Sequence, residues 1–193
     1  MGGLRLMSSF KRLNLDPYPN LLSELNELDL KFKSNQICLN TTVDKPDDYL
    51  LGCGSLYYDW STAKRNDKNE LISVDVWDNP LTESDFTEFC SVFSGTTFER
   101  LYRDISSRYE VGRVRIMNLA PGRVMTWHLD DSPRLHYPFK TQEGCSMVID
   151  NEVMHLDQDV WWWTDTTKHH TAFNASGESR YHIVAALLKP TIS

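Results

Sequence analysis

Nothing in the 193 residues approaches the run of about 20 apolar positions that a membrane-spanning helix needs. The first twenty residues, broken by Arg5, Lys11, Arg12 and Asp16, hold no apolar stretch of signal-peptide length. Met1 to Leu6 lack the Ser or Thr expected at the sixth position of a myristoylation signal. A cytoplasmic protein with no membrane partner is the expectation. Positive charge is also scarce. Lys and Arg number 20 against 27 Asp and Glu, a net charge of -7. Polyanion binding is driven by basic side chains displacing phosphate counterions, so this balance argues against nucleic acid as a partner. Cysteine is present only as Cys38, Cys53, Cys90 and Cys145, with no Cys-x-x-Cys pair. That spacing excludes a zinc ribbon or disulfide framework and predicts buried thiols in a reducing compartment. Gly52 and Gly54 flank Cys53, but no Lys-Ser/Thr follows and no helix start is signalled, so a phosphate loop is excluded. Internal repeats and low-complexity tracts are missing as well.

What remains is an ordinary globular composition, 40% hydrophobic and 24% charged, in a chain of single-domain length. Residues 1–193 therefore read as one domain, with 1–110 an N-terminal helical and irregular elaboration and 111–189 a β-rich unit. In the first part, Asn20 is placed to cap a short helix carrying Leu21, Leu22, Leu25 and Leu28. Residues 36–40 and 71–77 read as strands, and 61–69 as an exposed loop. Thr82 and Asp85 have capping-box spacing and predict a helix with Phe86, Phe89, Cys90 and Phe93 on one side, ending at Gly95. A second helix begins near Thr97, with Phe98, Leu101, Tyr102, Ile105 and Tyr109 as its stripe.

From Val111 the hydrophobic period changes to two. Strands are predicted at 111–119, 124–129, 135–140, 146–149, 153–156, 160–163, 169–174 and 181–188, punctuated by Asp, Asn, Gly, Ser and Pro. Many short strands of this kind predict a mainly β fold, a closed or double-sheet barrel or jelly roll of the cupin-like, double-stranded β-helix type.

All six histidines fall between 128 and 182. In an extended segment, residues two apart share a face, so His128 and Asp130 lie side by side. His170, on a later strand, can complete a set of two imidazoles and one carboxylate. That facial arrangement suits a non-haem iron(II) site with open positions for a co-substrate and dioxygen. Arg180 follows across a turn, and a guanidinium there would grip a carboxylate in a two-pronged fork. Arg134 and His136, again two apart, could hold a second carboxylate, and His182 shares a face with Arg180. A 2-oxo dicarboxylic acid is the ligand such a site would fit. Trp161 and Trp163 point to one face and Trp162 to the other, so at least one is core.

The pieces Ala120-Pro-Gly122, His128-Leu-Asp130, Arg134-Leu-His136, Asp165-Thr-Thr-Lys-His-His170, Asn174 and Arg180-Tyr-His182 together resemble the aspartyl/asparaginyl β-hydroxylase family of iron(II)/2-oxoglutarate dioxygenases. The resemblance implies iron on His128, Asp130 and His170, the distal carboxylate of 2-oxoglutarate on Arg180, and its 1-carboxylate end near Arg134 and His136. It further implies oxidative decarboxylation of 2-oxoglutarate to succinate and carbon dioxide, with dioxygen hydroxylating an amino acid, peptide or protein side chain. Some family members carry glycine in place of Asp130, and a serine that helps hold the co-substrate falls at Met117 here. Two other classes stay open. One is a non-catalytic cupin-like binding module, and the other a same-fold metalloenzyme that uses no 2-oxoacid. Neither substrate identity nor oligomeric state is legible.

Overall fold

A computed structural model of the chain describes residues 8–189. The N-terminal residues read for a lipid-attachment signal lie outside that range. Two antiparallel sheets face each other. The larger runs, in order, β1 (Phe10–Leu13), β12 (Trp161–Thr164), β9 (Arg134–Lys140), β14 (Arg180–Leu187), β7 (Val111–Leu119) and β2 (Gln36–Cys38). The smaller runs β11 (Glu152–Met154), β10 (Cys145–Ile149), β13 (His170–Asn174) and β8 (Arg123–Val124). From β7 to β14 the chain crosses repeatedly between the sheets, which is the winding of a double-stranded β-helix. The sheets are not closed into one ring. The segment before Val111, read as an elaboration, also contributes β1 and β2 to the larger sheet.

Alternation along the central strands separates two environments. One face of the larger sheet carries Val114, Ile116, Leu135, Tyr137, Ile183 and Ala185. It is covered by α1 (Leu21–Leu28) through Leu21 and Leu25, and by α2 (Thr97–Arg108) through Phe98, Leu101 and Ile105. Burying each such side chain stabilises the fold by about 1.5–3 kcal/mol. The opposite face packs Phe10, Leu119 and Trp162 against Met147, Ile149 and Ala172 of the smaller sheet. This inner core is small because the same face also carries Arg113, Arg115, Arg134, His136, Arg180 and His182, all buried. Charged residues at alternate positions of a buried strand contradict ordinary core patterning, and such conflicts mark functional sites. Trp161 joins the helix-covered core and Trp162 the inner one.

Three expected elements differ. The Thr82 capping box forms, but it opens only a single 3-10 turn, Glu83–Asp85, and no helix reaches Gly95. The Asn40 side-chain amide donates to the Phe86 carbonyl, and Asn40 of β3 (Asn40–Thr41) pairs with Phe89 of β6 (Glu88–Phe89). Long-range pairing thus claims the backbone that a helix would have used. Residues 58–65 form a strand, β4 (Tyr58–Arg65), paired with β5 (Leu71–Val76), so most of the expected loop is one arm of a hairpin. Asn20 adopts left-handed backbone (φ 73°) and makes no side-chain cap, although α1 starts where expected. Among the described residues no helix is long and apolar enough to cross a membrane.

Candidate metal and carboxylate site

The segment after β8 is not regular strand. It returns to the smaller sheet at one isolated bridge, where His128 and His170 exchange both backbone hydrogen bonds, at 3.2 and 3.0 Å. This direct pairing sets the two imidazoles with centroids 4.1 Å apart. The Asp130 amide then donates to the Thr166 carbonyl at 2.9 Å, which turns the carboxylate back toward the rings. One ligand atom from each of His128, Asp130 and His170 lies within 4.8 Å of the others.

The protonation states suit a cation. His128 Nδ1 lies 2.8 Å from the Thr126 carbonyl, and His170 Nδ1 lies 3.0 Å from the Lys168 carbonyl. A carbonyl only accepts, so each Nδ1 carries a proton, and in the neutral ring Nε2 is then the nitrogen with the lone pair, the usual arrangement of a metal-ligating histidine. Burial, the largest influence, lowers the pKa of His170 and favours its neutral form. Burial alone would raise the pKa of Asp130, but Arg134 and Arg115 outweigh it and keep the carboxylate ionised. Two neutral imidazole nitrogens and one carboxylate oxygen are a donor set that fits iron(II). Trp127 and Leu129, which flank His128 in sequence, are more than half exposed.

Arg134 is paired with two carboxylates, although its Nε makes no directed hydrogen bond. Its Nε lies 3.2 Å from Asp130 Oδ2, one terminal nitrogen donates to Ser132 O and Oγ, and the other donates to Glu83 Oε1 at 2.9 Å. Glu83 also receives Arg113 through two nitrogens, each at 3.0 Å. Glu83 has no counterpart in the sequence reading, because its partners lie 30 and 51 positions away. Arg113 and Arg115 did leave a signal, as two arginines spaced by two within a mostly apolar strand.

Arg180 is different. It is 5% exposed, no carboxylate lies within 4.0 Å among the described residues, and its Nε has no protein partner. Burial pushes its pKa down to about 10, which still leaves it charged at neutral pH. His182 and His136 lie further along the same inner face, in successive cross-strand rows. Their rings are 5.8 Å apart, and none of their four ring nitrogens has a partner among the described residues. Burial drives His136 down to about 3 and His182 well below its ordinary value, so both are neutral. A buried polar atom without a partner costs about 1–3 kcal/mol. A row of them beside an unmatched cation is therefore an environment built for a polar anion. His155 instead sits against the Cys145 carbonyl, and His169 is exposed.

The Asn174 side-chain amide donates to the Leu119 carbonyl, and Leu119 pairs with Arg180, so Asn174 marks the level of Arg180 on the smaller sheet. His170 lies four residues along the same strand, about 13 Å away at strand rise.

The sequence profile of the aspartyl/asparaginyl beta-hydroxylase family matches residues 58–190. The chain belongs to this family. The match begins at β4 and takes in the whole of the constellation just described, so the family signature falls where the charged inner face lies. No curated protein sequence matches the chain. Solved structures with related folds include a cupin domain from Bordetella pertussis, at 15% identity and TM-score 0.36, covering 40% of this chain and 81% of that one. A second is an oxidoreductase of the 2OG-Fe(II) oxygenase family from Burkholderia pseudomallei, at 14% identity and TM-score 0.37, covering 50% of this chain and 54% of the other. A third is a conserved protein of unknown function from Streptococcus pyogenes, at 12% identity and TM-score 0.35, covering 42% of this chain and 66% of that one. The chain thus spans about half the length of the Burkholderia protein and just under two thirds of the Streptococcus one.

Proposed function

We propose that this family member is an iron(II)- and 2-oxoglutarate-dependent dioxygenase that hydroxylates an amino acid, a peptide or a protein side chain. His128, Asp130 and His170 would hold the iron, and Arg180 the distal carboxylate of 2-oxoglutarate. The observation that carries this reading is Arg180, a buried guanidinium with no carboxylate within 4.0 Å among the described residues, on the same interior as a two-histidine, one-carboxylate cluster. A same-fold metalloenzyme without an anionic co-substrate has no use for such a cation, and a binding module has no use for the cluster.

When bound, iron(II) and 2-oxoglutarate with dioxygen supply the oxidising power to functionalise an unactivated C–H bond, yielding succinate and carbon dioxide beside the hydroxylated product. The protein's own part is binding and placement. His128 and His170 present Nε2 because backbone carbonyls hold their Nδ1 protons. His136, neutral and unpaired, supplies a hydrogen-bonding group to the co-substrate along the inner face. Arg134 is assigned differently from the expectation that it binds the 1-carboxylate. With its nitrogens on Asp130, Ser132 and Glu83, it positions the Asp130 carboxylate and keeps it ionised.

Calorimetric titration of 2-oxoglutarate into protein loaded with manganese(II), an unreactive stand-in for iron, tests the assignment. Binding that requires the metal, and that disappears in His170→Ala, is the expected result. Equal binding with and without metal, or none to the loaded protein, would overturn it.

A further inference from the structure

The fold brings two of the four free cysteines together. Cys38 is the last residue of β2 and pairs with Arg115 of β7, so its side chain points to the inner face beside that arginine. Cys53 comes from the loop that follows, and its Sγ lies 3.9 Å from Cys38 Sγ although the two are 15 positions apart. Gly52 and Gly54 on either side of it have positive φ, 72° and 93°. A side chain at Gly52 would also collide with the Phe86 ring. Glycine suits this turn, which presses Cys53 onto the strand. Cys38 Sγ donates to the Leu51 carbonyl at 3.1 Å, a second tie between strand and loop.

Ordinary core cysteines pack as small apolar groups with their thiols protonated. Cys90 is one, fully buried, with burial pushing its pKa up to about 12. Cys145 packs on Asn174 and Ser176. Cys53 is the most exposed of the four, at 8%. The hydrogen bond from Cys38 lowers its pKa, and with Arg115 and Arg113 it outweighs the opposing effect of burial. The same bond, and burial, raise the pKa of Cys38. One thiol is thus readied to lose its proton while its neighbour keeps one, which is the division between an attacking and a resolving cysteine.

We propose that Cys38 and Cys53 form a redox-active dithiol, which a hydroperoxide closes to a disulfide and a small-molecule thiol reopens. The Cys53 thiolate attacks one peroxide oxygen. An S–O bond forms, the O–O bond breaks, and the departing oxygen takes up a proton and leaves as an alcohol, or as water from hydrogen peroxide. Cys53, oxidised by two electrons, is then a sulfenic acid. The Cys38 sulfur attacks it, the S–S bond forms, the S–O bond breaks, and hydroxide leaves with the Cys38 proton as water. Two equivalents of an external thiol return the two electrons by exchange and become a disulfide themselves.

The dithiol is tied to the charged inner face. The Gly52 and Gly54 carbonyls accept from Arg113, the Gly54 amide donates to Gln36 Oε1, and that oxygen accepts from Arg115. The new bond would fasten to β2 the loop that holds both arginines. This inference does not depend on the function proposed above.

The test uses the full chain loaded with manganese(II), which avoids the radical chemistry of iron(II) with peroxide. Hydrogen peroxide is added, the remaining thiols are alkylated under denaturing conditions, and the peptides are mapped by mass spectrometry. A Cys38–Cys53 cross-link that forms while Cys90 and Cys145 stay free for alkylation, and that dithiothreitol reverses, is the expected result. Closing a loop of this length should raise the melting midpoint of the oxidised protein by about 5–10 °C. Cys38→Ser should retain a sulfenic acid on Cys53 that a 1,3-dione captures, and Cys53→Ser should show none on Cys38. Absence of the cross-link, four thiols oxidised at similar rates, cross-links between chains in its place, or an oxidised protein that melts no higher than the reduced one would each overturn the proposal. A sulfenic acid on Cys38 of the Cys53→Ser protein would overturn the assigned order of attack. The wild-type peptide map decides the pairing even if a variant fails to fold.

Discussion

Replacing Arg180 by Met removes the charge and keeps most of the aliphatic stem, so it separates what the cation costs from what it binds. Among the described residues Arg180 has no carboxylate partner, and burial pushes its pKa down to about 10. At about 1.4 kcal/mol per tenfold change in a proton equilibrium, this corresponds to a desolvation cost of about 3 kcal/mol. The group is charged in both the folded and unfolded states at neutral pH, so the whole cost applies there. Repacking around a methionine takes back about 1 kcal/mol. The net gain of about 2 kcal/mol raises the melting midpoint of a chain this size by roughly 4–8 °C. With 2-oxoglutarate the order should reverse. Ligand at about 100 times its Kd stabilises the wild type by about 2.7 kcal/mol and leaves the variant unchanged. Thermal melts of metal-loaded protein, with and without 2-oxoglutarate, would show the crossing. A ligand-free Arg180→Met protein that melts below the wild type would mean that the cation is already satisfied, and the reasoning would fail.

Acid should destabilise the metal-free protein in two stages. His136, His170 and His182 have folded pKa values below the ordinary value near 6.5. The unfolded chain therefore binds more protons as pH falls through 6.5, and each histidine still neutral at pH 5 contributes about 2 kcal/mol of lost stability there. Asp130 and Glu83, both held below the ordinary carboxylate value, extend the loss as pH drops through their folded pKa values. Urea melts that are flat from pH 7 to pH 5 would contradict the first stage. Glu83→Gln leaves Arg113 and Arg134 buried without their shared partner and should cost about 3–5 kcal/mol in urea unfolding, with weakened metal retention because Arg134 no longer braces Asp130. A loss under about 1 kcal/mol would show that the two arginines find other partners.

The β-rich half was legible because its evidence is local. The alternation of 111–119 coincides with β7, and the strand expected at 181–188 is β14 shifted by one residue at each end. The spacing of His128 and Asp130 needed only the period of extended backbone, and His170 was found because a histidine on its own strand can meet them across a sheet. Residues 124–129 were less regular than expected. Only Arg123–Val124 pairs as strand, and the bridge at His128 is set by His170. The helix expected after Thr82 failed for the opposite reason, since its apolar residues are buried as anticipated but their backbone pairs with Asn40 and Leu39. Glu83 could not have been seen in the sequence, because its role is defined by Arg113 and Arg134. Arg134 itself reads as a carboxylate binder until those partners are in place.

The central claim concerns 2-oxoglutarate, and its turnover is the direct test. Purified protein incubated with iron(II), ascorbate, dioxygen and 2-oxoglutarate should release succinate, slowly without substrate and faster with it. Release should vanish when iron is withheld or when His170 is replaced by Ala. Succinate at the level of an iron-free blank, from protein shown to hold iron at His128, Asp130 and His170, would contradict the account.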